Sequence, residues 1–272
     1  MRFRSYLIIT AIFISFPLKA QNTDLSSRLE RLFDRIMHSR IDQEKIATND
    51  SIRLIIESYA ASDTVFSHKF ANLRYLGQIM SPDSRIKILT WNLILRDGTN
   101  NYYSYILHRE NRRGKHTVYK LTGKNSQISP NTERIYSADD WYGALYYAVS
   151  PFKIKNKTFY ILLGFDYGNL QVSRKIADVL SFSPQGELSL GEGCFKKDNE
   201  TKFRVVIEYS PEGIASLRFH SKKLIVFDHL VSFSENQNAN PEYFGAEFTF
   251  DGYRLKKGFW IFASDVEVKN KK

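Results

Sequence analysis

A chain of 272 residues that is 43% apolar and 14% aromatic can bury a sizeable core, which excludes a disordered tail. The formal net charge of +10 points to anionic partners, yet the basic residues are spread along the chain with short clusters only at 109–115 and 269–272, as on a solvated face. A single cysteine, Cys194, excludes an intramolecular disulfide and reads as a small buried hydrophobe beside Phe195.

Residues 1–20 have the layout of a secretory signal peptide. Arg2 and Arg4 form a basic start, an apolar run follows over 6–18, and Ala20 supplies the small residue before Gln21. The run is short for a membrane span, so an N-terminal anchor is the weaker reading, and no cysteine follows it to accept a lipid. Cleavage would remove Arg2, Arg4 and Lys19, leaving 252 residues with a charge near +7. Export without a disulfide fits a bacterial envelope protein, periplasmic or associated with the outer membrane. It makes an acidic glycan, an envelope protein or an anionic membrane surface the expected partner, and no nucleic acid is expected.

From 22 to about 61 the chain reads as two helices. Leu25, Leu29, Leu32, Phe33 and Ile36 recur at three- and four-residue steps, and Ile52, Ile55, Ile56 and Tyr59 share a second face. Thr23 or Asp24 is the expected cap of the first helix, and Asn49 and Asp50 of the second. This helical segment, 21–80, is expected to pack on a β domain spanning 81–272.

From Ile86 the period changes to two. Leu89, Trp91, Leu93 and Leu95 fall on one face of a strand, Asp97-Gly98 makes a turn, and 102–108 returns as a hairpin. A third strand is expected over 116–121, then a polar loop over 123–139. The runs 141–149 and 158–163 form a second hairpin, and their consecutive apolar residues suggest strands covered on both faces. Strands over 176–182 and 187–190 flank the turn 183–186. A meander is expected over 203–209, 214–220 and 224–229, then a hairpin around Asp251-Gly252 and a closing strand from Phe259. The fold class is α+β: mainly antiparallel, ten or more short strands in hairpins, with an N-terminal helical pair. No repeat period supports a propeller, and the strands lack the clean lipid-out alternation of an outer-membrane barrel.

The signal ending before Gln21, the stretch Ser81-Pro82-Asp83 leading to Thr90-Trp91-Asn92, the strand and turn 160–166, and Val226-Phe227-Asp228-His229-Leu230 carry a family impression. On these the chain resembles an uncharacterised family of exported bacterial envelope proteins. That resemblance implies a location and no activity.

The six histidines fall in no metal-ligand spacing, no cofactor motif is present, and neither a metal nor a cofactor is expected. Asp228-His229 is the most chemical-looking pair, at the end of an apolar strand. Adjacent strand residues face opposite sides, however, and a histidine base needs a positioned third partner. Asp166-Tyr167-Gly168-Asn169 has too few oxygens at alternating positions for calcium and reads as a turn. Trp91, Tyr102, Tyr103, Tyr105, Trp141, Tyr142, Tyr146 and Tyr147 cluster in the first half of the predicted sheet, and among them Trp141 and Tyr142 are the candidates for sugar stacking or a protein contact, against the ordinary role of such rings in sheet packing. The expectation is a non-enzymatic binding or assembly module. A secreted hydrolase of glycan or another envelope polymer is the alternative.

Overall fold

The computed structural model describes residues 18–110, 114–124, 128–169, 171–232 and 240–268. The first seventeen residues of the expected signal peptide lie outside these, as do 111–113 and 269–272 of the basic clusters and the polar stretch 233–239.

Two helices open the described chain, α1 over Leu18–His38 and α2 over Asp42–Ala60. Their starts differ from expectation. Thr23 and Asp24 lie within α1, and α2 begins a full two turns before Asn49. Asp42 and Glu44 in its first turn complement the positive end of the helix dipole. Glu44 is also tied to Arg35 Nε (2.7 Å) and Ser39 Oγ (2.6 Å), which holds the corner between the helices. Asn49 is thereby freed from capping, and its Oδ1 accepts the buried Trp91 Nε1–H at 2.8 Å.

The first sheet runs β1 (Gly77–Met80), β2 (Ile86–Ile94), β3 (Asn100–Arg109) and β4 (His116–Lys124), antiparallel in that order. The second contains β5 (Leu145–Ile154), β6 (Lys157–Asp166) and β7 (Ser173–Phe182), with the short β8 (Leu188–Leu190) also paired to β7. The chain then leaves it through β9 (Phe195–Lys197) and β10 (Glu200–Lys202), and β11 (Val205–Tyr209) comes back to the edge of β7. The third sheet adds β12 (Leu217–Ser221), β13 (Leu224–Ser232), β14 (Phe244–Lys256) and β15 (Phe259–Ala263) in the order β10-β9-β15-β14-β13-β12. Within it, β15 and β9 pair in parallel.

Four layers result. The helices cover one face of the first sheet through Leu29, Phe33, Ile52 and Ile56 against Leu89, Trp91, Leu93 and Tyr105. Its other face, with Ile88, Tyr102 and Ile106, meets Tyr146, Tyr160, Leu162 and Ile176 of the second sheet. The second sheet turns Ile161, Leu163, Ala177 and Val179 toward Ile225, Tyr253 and Trp260 of the third. Being covered on both faces, β6 and β7 need near-continuous apolar runs, as their sequence has. Each such buried side chain contributes about 1.5–3 kcal/mol.

Two expected connections are different. The meander breaks after β11, which pairs with β7 while β12 pairs with β13 in another sheet. Asp251-Gly252 makes no turn either, because β14 runs straight through it. Gly252 faces Val226 on one side and Ala263 on the other, and a Cβ there would stand 2.5 Å from the Ile225 carbonyl oxygen. The hairpin lies instead at Lys257-Gly258, whose φ values of 50° and 86° suit a two-residue turn.

Candidate ligand-binding cleft

The structure separates the Asp228-His229 pair, as strand alternation requires. Asp228 turns to Ser216, accepting its backbone N–H at 2.8 Å and its hydroxyl at 2.5 Å. His229 sits at a bulge in the β13–β14 ladder, and its Nδ1 lies 2.9 Å from Asp251 Oδ2. The hydrogen bond to Asp251 raises the imidazole above the ordinary histidine range, with Glu247 and Asp265 adding to it. No sequence spacing announces Asp251 as this partner, because the pairing comes from register between strands.

Trp141 and Tyr142 lie just before β5 rather than in it. Trp141 is 3% exposed, and its indole N–H donates to the Tyr146 hydroxyl at 3.0 Å. Tyr142 donates to Asp178 Oδ2 at 2.7 Å, and burial next to that carboxylate pushes its phenol well up. Both rings are thus engaged in the packing between the first two sheets. Cys194 is fully buried, and burial raises its thiol far above the ordinary range. Among the described residues no three of His, Cys, Asp and Glu gather to hold a metal.

A cleft opens where α1, β1 and the end of the second sheet meet, with a volume of about 450 Å³. Its floor is apolar, with Phe33, Ile36 and Ile79 contributing. The rest of its lining is aromatic and basic, with Arg74, Tyr75, Tyr147, Tyr167 and Lys175.

Local sequence sets several of these residues. In β5, Tyr146 pairs with Gly164 and Ala148 with Leu163, so Tyr147 is the extra residue of a β-bulge. It is 39% exposed, and its hydroxyl is fixed on the Leu217 carbonyl at 2.7 Å. Tyr167 begins the turn after β6, and its backbone N–H donates to the Tyr102 hydroxyl at 2.8 Å. Asp166 anchors that turn by accepting from Tyr102 (2.8 Å), Gly168 N–H (2.8 Å) and the buried Arg174 (3.0 Å). These bonds hold the segment 166–169 at the end of β6.

Lys175 pairs with Phe165 across the β6–β7 ladder, and its ammonium stands 4.6 Å from the Phe165 ring centre and 5.4 Å from that of Tyr147. Burial lowers its pKa from the ordinary lysine value, with the Asp228 charge acting the other way. Among the described residues neither Lys175 nor Arg74 has a carboxylate within ion-pair distance. The ring faces orient the Lys175 charge without neutralising it. Such a cleft can hold a flat or ring-shaped group against Tyr147 and Tyr167 while two cations take its negative charge.

Of these residues sequence reasoning weighed Tyr147, as one of the clustered aromatics, and missed the others, because Arg74 and Tyr75 lie between the predicted helices and strands and Lys175 and Tyr167 flank predicted strands. No helix among the described residues is long and apolar enough to cross a membrane. In comparisons with known proteins, no family model, no curated protein and no solved structure matches this chain.

Proposed function

We propose that the protein is an exported component of a bacterial envelope that works as a binding module, with the aromatic cleft as its site and an acidic sugar as its ligand. The observation that carries the reading is Lys175 held against the rings of Phe165 and Tyr147 in an apolar cleft that Arg74 also lines. Largely preformed apolar pockets with a few converging polar groups are the usual form of small-ligand sites. Amphipathic rings suit the C–H faces of a sugar, and two unpaired cations suit its acid group. The basic balance of the chain and its signal-like N-terminus agree with a polyanionic envelope partner. The resemblance to exported bacterial envelope proteins supports the location.

Thermal unfolding with digalacturonate and with a neutral disaccharide tests the reading. Near a hundredfold excess over the dissociation constant, the acidic sugar is expected to stabilise by about 2.7 kcal/mol, a shift of a few degrees. Lys175→Met is expected to abolish that shift. Equal shifts with the neutral sugar, or an unchanged shift in Lys175→Met, would rule the cleft out.

A hydrolase is the second reading, and the His229–Asp251 pair is the observation in its favour, since a carboxylate on Nδ1 is how a histidine base is oriented. Release of reducing ends from an envelope polymer, lost in His229→Ala, would establish it.

A further inference from the structure

Asn92 of β2 also lines the aromatic cleft and is half-buried there. It stands opposite Tyr102 in the β2–β3 ladder, so its side chain shares the face that meets the second sheet. On its other side β1 pairs with β2 only as far as Gly77 opposite Thr90, which leaves this end of the strand uncovered. A chain of hydrogen bonds fixes which end of the carboxamide points inward. Asp166 Oδ1 accepts the Tyr102 hydroxyl at 2.8 Å, which commits the one proton of that phenol. The Tyr102 oxygen must therefore accept, and it does so from Asn100 Nδ2 (3.1 Å) and the Tyr167 N–H (2.8 Å). Asn100 is left with Oδ1 for its neighbour, and this oxygen accepts from Asn92 Nδ2 at 2.9 Å. Asn92 Oδ1 is thus turned away from the network. It has no hydrogen-bond partner among the described residues and is not one of their fully buried unpartnered atoms, so it keeps accessible surface.

We propose that Asn92 reads an acetamido group, so that the ligand of the cleft is an N-acetylated acidic sugar. This rests on the reading of the cleft as an acidic-sugar site. An outward carbonyl oxygen repels a carboxylate, which assigns the acid to Lys175 and Arg74 and calls for a donor at Asn92. A hydroxyl and an acetamido group both bring a donor. The acetamido group also brings a carbonyl for the remaining Asn92 N–H, and a methyl group that Phe33, Ile36 and Ile79 of the same cleft can cover. Its three parts match an amide set in an apolar lining, whereas a bare hydroxyl leaves that lining wet.

Calorimetric titration of the protein with N-acetylmuramic acid, and with the analogue that has a hydroxyl in place of the acetamido group, tests this. Both ligands carry the same acid. The acetylated one is expected to bind about tenfold tighter, from a further hydrogen bond and a covered methyl group. Asn92→Ala should bring the two to equal affinity, and Lys175→Met should weaken both. The side-chain amide NMR signals of Asn92 in the unmutated protein should move on saturation with N-acetylmuramic acid, a readout independent of how the variant folds.

Equal affinity in the wild type, with both ligands dependent on Lys175, overturns the acetamido subsite and leaves the cleft reading standing. A preference that survives Asn92→Ala does the same, as do Asn92 amide signals that stay in place. If Asn92→Ala binds neither ligand, those signals decide. Binding indifferent to Lys175, or no binding of either ligand, overturns the cleft reading and the proposal with it.

Discussion

Arg204 and Asp178 form an ion pair, Nε to Oδ2 at 3.1 Å, with neither side chain reaching solvent. The pair does more than neutralise charge. Arg204 also donates to the carbonyls of Asn131, Arg134 (2.7 Å) and Leu190 (2.9 Å), and Tyr142 donates to the same Asp178 oxygen. One guanidinium therefore ties the irregular segment after residue 128 down to β7 and β8. Through Tyr142 it reaches the residues that lead into β5 and the cleft.

Removing either partner leaves an uncompensated buried charge. Arg204→Met or Asp178→Asn is expected to cost about 3–5 kcal/mol. Urea unfolding followed by tryptophan fluorescence reads this directly, since Trp141 lies in the same network. A change below about 1 kcal/mol would mean the pair is not closed in solution.

Gly252 stands at a crowded place in a strand rather than in a turn. A methyl group at Gly252→Ala would meet the Ile225 carbonyl oxygen at 2.5 Å, and the backbone of a central ladder cannot move aside without disturbing β13. The expected loss is about 1–3 kcal/mol. Gly98→Ala is a useful contrast, because nothing lies within 4 Å of its Cβ position and only its φ of 83° opposes the change. If the two variants unfold at the same urea concentration, the close approach at Gly252 is not what requires the glycine.

These two glycines also mark how far the sequence could be read. Both follow an aspartate, and Asp-Gly is the strongest local hairpin signal. At Asp97-Gly98 it is a turn, whereas at Asp251-Gly252 a partner strand on each side overrides it. Local periodicity was legible: the stripe through Leu29, Phe33 and Ile36, the face of Leu89, Trp91 and Leu93, and the doubly covered runs of β6 and β7. Choices decided by distant partners were not, including β11 joining β7 and β9 pairing with β15. The site follows the same division. Alternation alone told that Asp228 and His229 face apart, but Ser216 and Asp251 as their partners depend on register. The cleft joins α1, an irregular segment, β1, β2, a bulge in β5, the end of β6 and one residue of β7, and no stretch of sequence contains it.

Lys87 is 4% exposed and has oxygen acceptors in place of an anion: the Tyr59 hydroxyl at 2.8 Å and the carbonyls of Val65 and His68, each at 2.5 Å. Burial, with the Lys69 charge nearby, pulls its pKa down to about 8 from 10.5. The folded protein thus gives up this proton near pH 8, while the unfolded chain keeps it to about 10.5. Between those values unfolding takes up a proton, so Lys87 makes stability rise with pH, by up to about 1.4 kcal/mol per pH unit. The stability of the wild type relative to Lys87→Met should therefore climb from pH 8 to 10 and stay level below pH 7. Urea midpoints across that range give the difference, and a flat profile would show that Lys87 keeps an ordinary proton affinity in the fold.

His229 carries the opposite sign of pH dependence. Its folded pKa is raised above the unfolded value, first by the hydrogen bond to Asp251 and then by the charges of Asp251, Glu247 and Asp265. A raised value means that the fold binds the proton more tightly than the unfolded chain. The resulting stabilisation is fully present below the unfolded value near 6.5 and is lost as pH rises through the folded one. At 43% side-chain exposure the pair is well screened, so the effect is expected to be small and weaker in high salt. The difference in melting temperature between wild type and His229→Gln should be largest near pH 5.5, shrink steadily above pH 6.5, and be halved or less in 0.5 M salt at the lower pH. Asp251→Asn should remove most of that pH dependence, because the acceptor and the nearest charge go together. An NMR titration of the imidazole provides the independent check: a midpoint at the free-histidine value would require flat melting differences, one below it would reverse their sign, and either would overturn the raised proton affinity of His229.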